Sequence, residues 1–76
     1  MIKLHKMTWG EFNKHSHAPI GGNEDPSKVI PETYWFEQNG AWYQVDKGYI
    51  GWNITDEDGK DAGFCETLKE LRQNGI

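Results

Sequence analysis

The spacing of apolar positions changes character several times along this chain. Residues 2–7, IKLHKM, alternate apolar and polar, the period of a half-buried strand, and predict a short N-terminal edge strand. At MTWGEF the pattern changes. Thr8 followed three residues later by Glu11 fits a capping box, and Met7 with Phe12 fits the accompanying hydrophobic staple, so a short helix is expected over about 9–15. Gly10 costs that helix about 0.5–1 kcal/mol relative to alanine, which makes it dependent on tertiary contacts. Residues 16–32, SHAPIGGNEDPSKVIPE, hold all three prolines and Gly21-Gly22 without periodicity. They read as a long loop, pinned to the core by Ile20, Val29 and Ile30.

Residues 33–46, TYWFEQNGAWYQVD, carry the strongest local signal. Asn-Gly between two apolar runs specifies a two-residue turn with positive φ at both central positions. That turn pairs Gln38 with Ala41, Glu37 with Trp42, Phe36 with Tyr43, Trp35 with Gln44 and Tyr34 with Val45. Alternation then places Tyr34, Phe36, Tyr43 and Val45 on one face and Trp35, Glu37, Trp42 and Gln44 on the other. A strand with one buried face needs large apolar groups only at every second position. The second aromatic face therefore has two readings. The N-terminal helix or the long loop covers it, or it stays partly open as a binding surface.

After a turn at Lys47-Gly48, YIGWNIT predicts a further strand with Ile50, Trp52 and Ile54 on one face and Tyr49, Gly51 and Asn53 on the other. DEDG at 56–59 reads as a hairpin loop closed by a glycine at positive φ, and KDAGF at 60–64 as a last strand with Ala62 and Phe64 on one side. ETLKELRQN predicts a terminal helix, with acids early, bases late, and Leu68 and Leu71 as its apolar stripe. Gly75 suits its C-terminal cap, with Ile76 closing a Schellman contact. The expected fold is α+β, a small antiparallel meander of three to four strands. A C-terminal helix packs on one face and a short N-terminal helix lies elsewhere.

Composition narrows the function classes. Seventy-six residues make a single domain, 1–76, with one modest core. Mean hydropathy is −0.85, and the 13% aromatic content compensates for scarce aliphatics, since each ring buries roughly 150–250 Å². Net charge is −4, and the excess lies late: residues 39–76 carry seven acids against four bases. Direct attraction to a nucleic-acid backbone needs the opposite sign, so it is disfavoured. The single Cys65 has no disulfide partner in the chain, and MIKLHKMTWGEF offers no apolar run for a signal peptide or membrane span. A cytoplasmic, membrane-free protein is the expectation.

Candidate chemistry is sparse. His15-Ser16-His17, with His5, suggests metal ligands, but a structural zinc site needs four and the cysteine is distant, so surface histidines are the preferred reading. Asp56, Glu57, Asp58 and Asp61 fail the spacing of a twelve-residue calcium loop. Ser16 and Ser27 lie in no nucleophile motif, Cys65 reads as a small packed residue at a strand-to-helix junction, and no glycine-rich phosphate cradle exists. Neither enzyme activity nor a cofactor is expected.

The stretch GYIGWNITDEDGKDAGFCETLKELRQNGI, residues 48–76, resembles the end of many small bacteriophage and prophage accessory proteins. In those a W-x-I strand, a D-x-D-G turn, a short strand and a T-L-K-E-L type helix form a compact β-β-α unit. The resemblance implies a non-catalytic inhibitor of host machinery, of the anti-CRISPR or anti-restriction type, acting in the host cytoplasm. The expected partner is a host protein, and a basic nucleic-acid-binding surface would suit the acids. Candidate partner-binding residues are Trp35, Glu37, Trp42 and Gln44, an aromatic pair with polar neighbours, and the acidic tip Asp56, Glu57, Asp58 and Asp61. The alternatives are a single-strand nucleic-acid binder that stacks bases on these aromatics, or a phage structural or assembly component.

Overall fold

A computed structural model describes residues 1–15 and 25–76. Its elements are β1 (His5–Thr8), α1 (Trp9–His15), β2 (Val29–Gln38), β3 (Ala41–Lys47), β4 (Trp52–Asp56), β5 (Asp61–Cys65) and α2 (Leu68–Asn74). The strands form one antiparallel sheet in the order β1-β2-β3-β4-β5. The architecture is α+β, as expected, but the sheet has five strands instead of three or four.

The β2–β3 hairpin has the register that Asn39-Gly40 dictates. Asn39 and Gly40 take φ of 54° and 82°, and all five expected pairs form, from Gln38 with Ala41 to Tyr34 with Val45. Phe36 and Val45 are fully buried on one face with Ile54, Cys65 and Leu71 of α2. Tyr34, Tyr43, Trp52, Ala62 and Leu68 close around them, as do Ile2 and Leu4. The Phe36 and Tyr43 rings stack at 5.2 Å, and Tyr34 meets Trp52 edge-on at 5.7 Å. Aromatic pairs thus complete a core built on few aliphatic side chains.

Several boundaries differ from expectation. The first strand starts at His5, because Ile2 donates its N–H to the Arg72 carbonyl of α2 (3.0 Å) and residues 2–4 dock there. Residues 29–32 belong to β2, so the irregular segment is shorter than 16–32, and Ile20 lies outside the described residues. Within β2 the pairing slips, with Thr8 opposite Val29 but Lys6 opposite Tyr34. Pro31, which has no N–H, and Glu32 at φ 52° lie in that irregularity. β4 starts only at Trp52, so Tyr49 and Ile50 occupy the β3–β4 connection and Ile50 shares no strand face with Trp52 and Ile54. The connection is closed by Gly48 N–H to Gly51 O at 2.6 Å. A register shift after Ile54 separates the two residues expected on one side of β5: Ala62 joins the core while Phe64 is exposed.

α1 begins as its sequence indicates, whereas α2 starts at Leu68, inside the expected ETLKELRQN, with Thr67 as its cap. Thr8 Oγ1 accepts the Glu11 N–H at 3.2 Å, and Thr67 Oγ1 accepts the Glu70 N–H at 3.1 Å. Gly10 has a tertiary reason. Its N–H donates to Pro26 O at 2.9 Å, and a Cβ there would press within 3.1 Å of the proline. Gly75, at φ 65°, caps α2 by donating to Leu71 O. Ile76 is then held by the Gln38 carboxamide, which accepts its N–H at 3.0 Å and donates to its carbonyl at 2.9 Å.

Leu71→Ala removes the α2 anchor from a closed core and should lower stability by about 2–5 kcal/mol. Ile50→Ala, at an exposed connection, should stay within about 0.5 kcal/mol of the parent. Urea denaturation of the two variants checks the pair; equal losses would mean that α2 is not docked as described.

A ring ladder beneath the first helix and an exposed apolar end

The face opposite α2 carries the tryptophan pair. Trp35 and Trp42 are diagonal neighbours across the hairpin, with ring centroids 6.5 Å apart and planes 23° from parallel. Register places His5 of β1 opposite Trp35, and its imidazole stacks there at 4.3 Å. At the other end His15, the last residue of α1, lies flat on Trp42 at 4.3 Å and 9°. The result is a continuous ladder of four rings, His5, Trp35, Trp42 and His15, spanning three strands and one helix.

The face is therefore largely closed. Trp42 is only 6% exposed and Trp35 is half-buried, so the two indoles differ in what they can offer a partner. Met7 is fully buried without belonging to the cluster around Phe36. The Trp42 Nε1 is buried and has no hydrogen-bond partner among the described residues. Glu37 is exposed beside Trp42, and Gln44 spends its amide on Asp46, with Nε2 2.9 Å from Oδ1.

The acids of the β4–β5 connection have structural tasks. Asp56 Oδ1 accepts the N–H groups of Asp58 and Lys60, each at 2.9 Å, and Asp61 Oδ1 accepts that of Gly63 at 3.2 Å. Glu57 reaches across to α1, where its Oε2 lies 3.3 Å from His15 Nδ1. His15 Nε2 in turn lies 3.0 Å from Glu11 Oε1. Glu11 thus turns toward His15, and the cap at Thr8 rests on its backbone N–H. The fold therefore joins the acidic tip to the tryptophan face through His15. Asp58 sits exposed at the tip.

Large exposed apolar groups lie at another end of the sheet. Tyr49 is fully exposed, Ile50 78% and Phe64 49%. Phe64 lies beside the connection that carries Tyr49 and Ile50: its ring covers Gly51 so closely that a Cβ at that glycine would come within 2.9 Å of Cε2. This end of the sheet is opposite the acidic tip along β4 and β5. Strand alternation hid it from sequence reasoning, because YIGWNIT reads as one continuous strand. The exposed Tyr-Ile pair between two glycines was the available signal.

Cys65 is buried at the foot of a cleft of about 220 Å³ between β5 and α2, lined also by Ile54, Gly63, Glu70, Leu71 and Ile76. Burial pushes its thiol pKa up, and the Glu70 carboxylate adds to the shift, so the nucleophilic thiolate is disfavoured. Asp25 is shifted the other way, lowered by the backbone N–H and then the hydroxyl of Ser27. Among the described residues no group of three or more His, Cys, Asp or Glu is placed to hold a metal ion, and no helix is long and apolar enough to cross a membrane. The His15–His17 pair was the sequence's metal candidate, and His17 lies outside the described residues.

Searches against protein-family models, curated proteins and solved structures find no match to this chain.

Trp42→Ala should destabilise the fold by about 3–5 kcal/mol, as expected for a large buried ring, whereas Glu37→Ala should cost little. Thermal or urea unfolding reads both, and a Trp42→Ala protein of parental stability would mean that the indole is not sealed. Cys65 should react with a thiol reagent only as fast as the protein unfolds, which stopped-flow labelling across a urea series checks.

Proposed function

We propose that this chain is a non-enzymatic protein-binding module that docks through Tyr49, Ile50 and Phe64. The observation carrying this reading is the exposure of three large apolar side chains at one end of the sheet. A four-residue connection closed by Gly48 and Gly51 needs neither Tyr49 nor Ile50 for its own packing. Aromatic and branched anchors with polar neighbours are the composition of binding hot spots. The surroundings favour a basic partner. Asp46 and the exposed Glu66 lie at this end, and Lys47 has its Nζ 4.9 Å over the Trp52 ring. In the form that the resemblance to phage accessory proteins implies, the target is a host defence or nucleic-acid-processing protein and the mechanism is steric and electrostatic occlusion.

Of the residues first considered for binding, Trp35 and Glu37 remain accessible enough to contribute. Trp42 acts as the support beneath α1. Stacking of single-stranded nucleic acid finds less support, because His5 and His15 already lie on the two tryptophans and the net charge of the chain is −4.

The double variant Tyr49→Ala/Ile50→Ala should keep the parental unfolding transition and weaken target binding by about 2 kcal/mol or more. Immobilised parent and variant are compared for the proteins each retains from a bacterial lysate, and the affinity of each differentially retained protein is then measured. Identical retention by the two, or none by the parent, would remove this surface as the docking site.

A further inference from the structure

His15 makes three contacts that depend differently on its charge. Its ring lies flat on Trp42, Nε2 is 3.0 Å from Glu11 Oε1, and Nδ1 is 3.3 Å from Glu57 Oε2. Among the described residues these two carboxylates are the charged groups in contact with the ring. Lys14 beside it on α1 is exposed, and β3 supplies the uncharged indole. A neutral imidazole has one N–H and a cationic one has two. The neutral ring can therefore donate to Glu11 or to Glu57 but not to both, whereas the cation donates to both and is also attracted to the indole face. The Glu11 contact lies within a single helix turn. The Glu57 contact is longer, spans 42 residues and joins two separate elements, and its carboxylate is half-exposed.

We propose that His15 is a proton-operated latch between α1 and the β4–β5 tip. With a proton on each nitrogen it holds helix end and hairpin together over Trp42; on losing one it keeps Glu11 and lets Glu57 go. The sign follows from the donor count: the link belongs to the ring that carries a proton on each nitrogen, and it is lost when one proton leaves. Release frees the carboxylate at the tip and loosens the cover over the Trp42 ring. This proposal stands apart from the docking surface, which lies at the opposite end of β4 and β5.

The test is a pH titration of the whole chain by NMR, following the His15 ring protons, the backbone amides of residues 57–60 and the Trp42 indole N–H. In the parent protein the tip amides and the indole signal should shift along one curve that coincides with the ring protons of His15. In Glu57→Gln the ring should still titrate while the tip amides lose that transition, and in His15→Gln both transitions should vanish. Parent tip amides that ignore the His15 transition, or that follow it unchanged in Glu57→Gln, would overturn the latch. The half-exposed Glu57 side chain makes that variant usable even if His15→Gln fails to fold.

Discussion

The two-residue turn at Asn39-Gly40 is the constraint on which the rest of the structure depends. Because strand side chains alternate, its register decides that Phe36 and Val45 join the core with α2 while Trp35 and Trp42 lie on the opposite face. A slip of one residue would exchange the two sets. It would put Glu37 and Gln44 into the core and the aromatic rings of the main cluster on the outside. Left-handed backbone at two adjacent positions is accessible to Asn and Gly and costly for most other residues, so the turn is local in origin and global in consequence.

From that register follows a sheet used on both faces. A chain of this length has little surface to bury and few aliphatic residues with which to bury it. It compensates by making the central hairpin a middle layer. One side is packed against α2, and the other is filled by α1 and a ladder of rings. α1 has seven residues and a glycine, so it has little stability of its own. It persists through contacts at both ends: Trp9 and Gly10 bond to Lys28 and Pro26 at its start, and His15 rests on Trp42 and reaches Glu57 at its finish.

The same economy explains what the surface shows. Acids that looked like a displayed anionic patch are engaged in turn closure and in holding a histidine. Exposed apolar groups with no such duty include Tyr49, Ile50 and Phe64, at the other end of β4 and β5. An exposed apolar residue is informative when the local fold has no use for it, and here the connection closes through glycine backbone.

The sequence by itself determined the elements whose signals are local. These are the hairpin and its pairing, the cap at Thr8, the extent of α1 over 9–15, the glycine end of α2, and the α+β class. Tertiary structure decided everything that joins segments distant in the chain. β1 takes its place beside β2 through a connection too long to transmit register, so the stacking of His5 on Trp35 could not be read from spacing. Whether Trp42 was open or sealed depended on where α1 came to rest, and the answer lay in His15, a residue that spacing alone made look like a surface histidine or a metal ligand. The start of β4 at Trp52, and with it the exposure of Ile50, was likewise decided by pairing with Lys47. Alternation describes a strand only once its partner is known, because the hydrogen bonds that keep a segment extended come from the neighbouring strand.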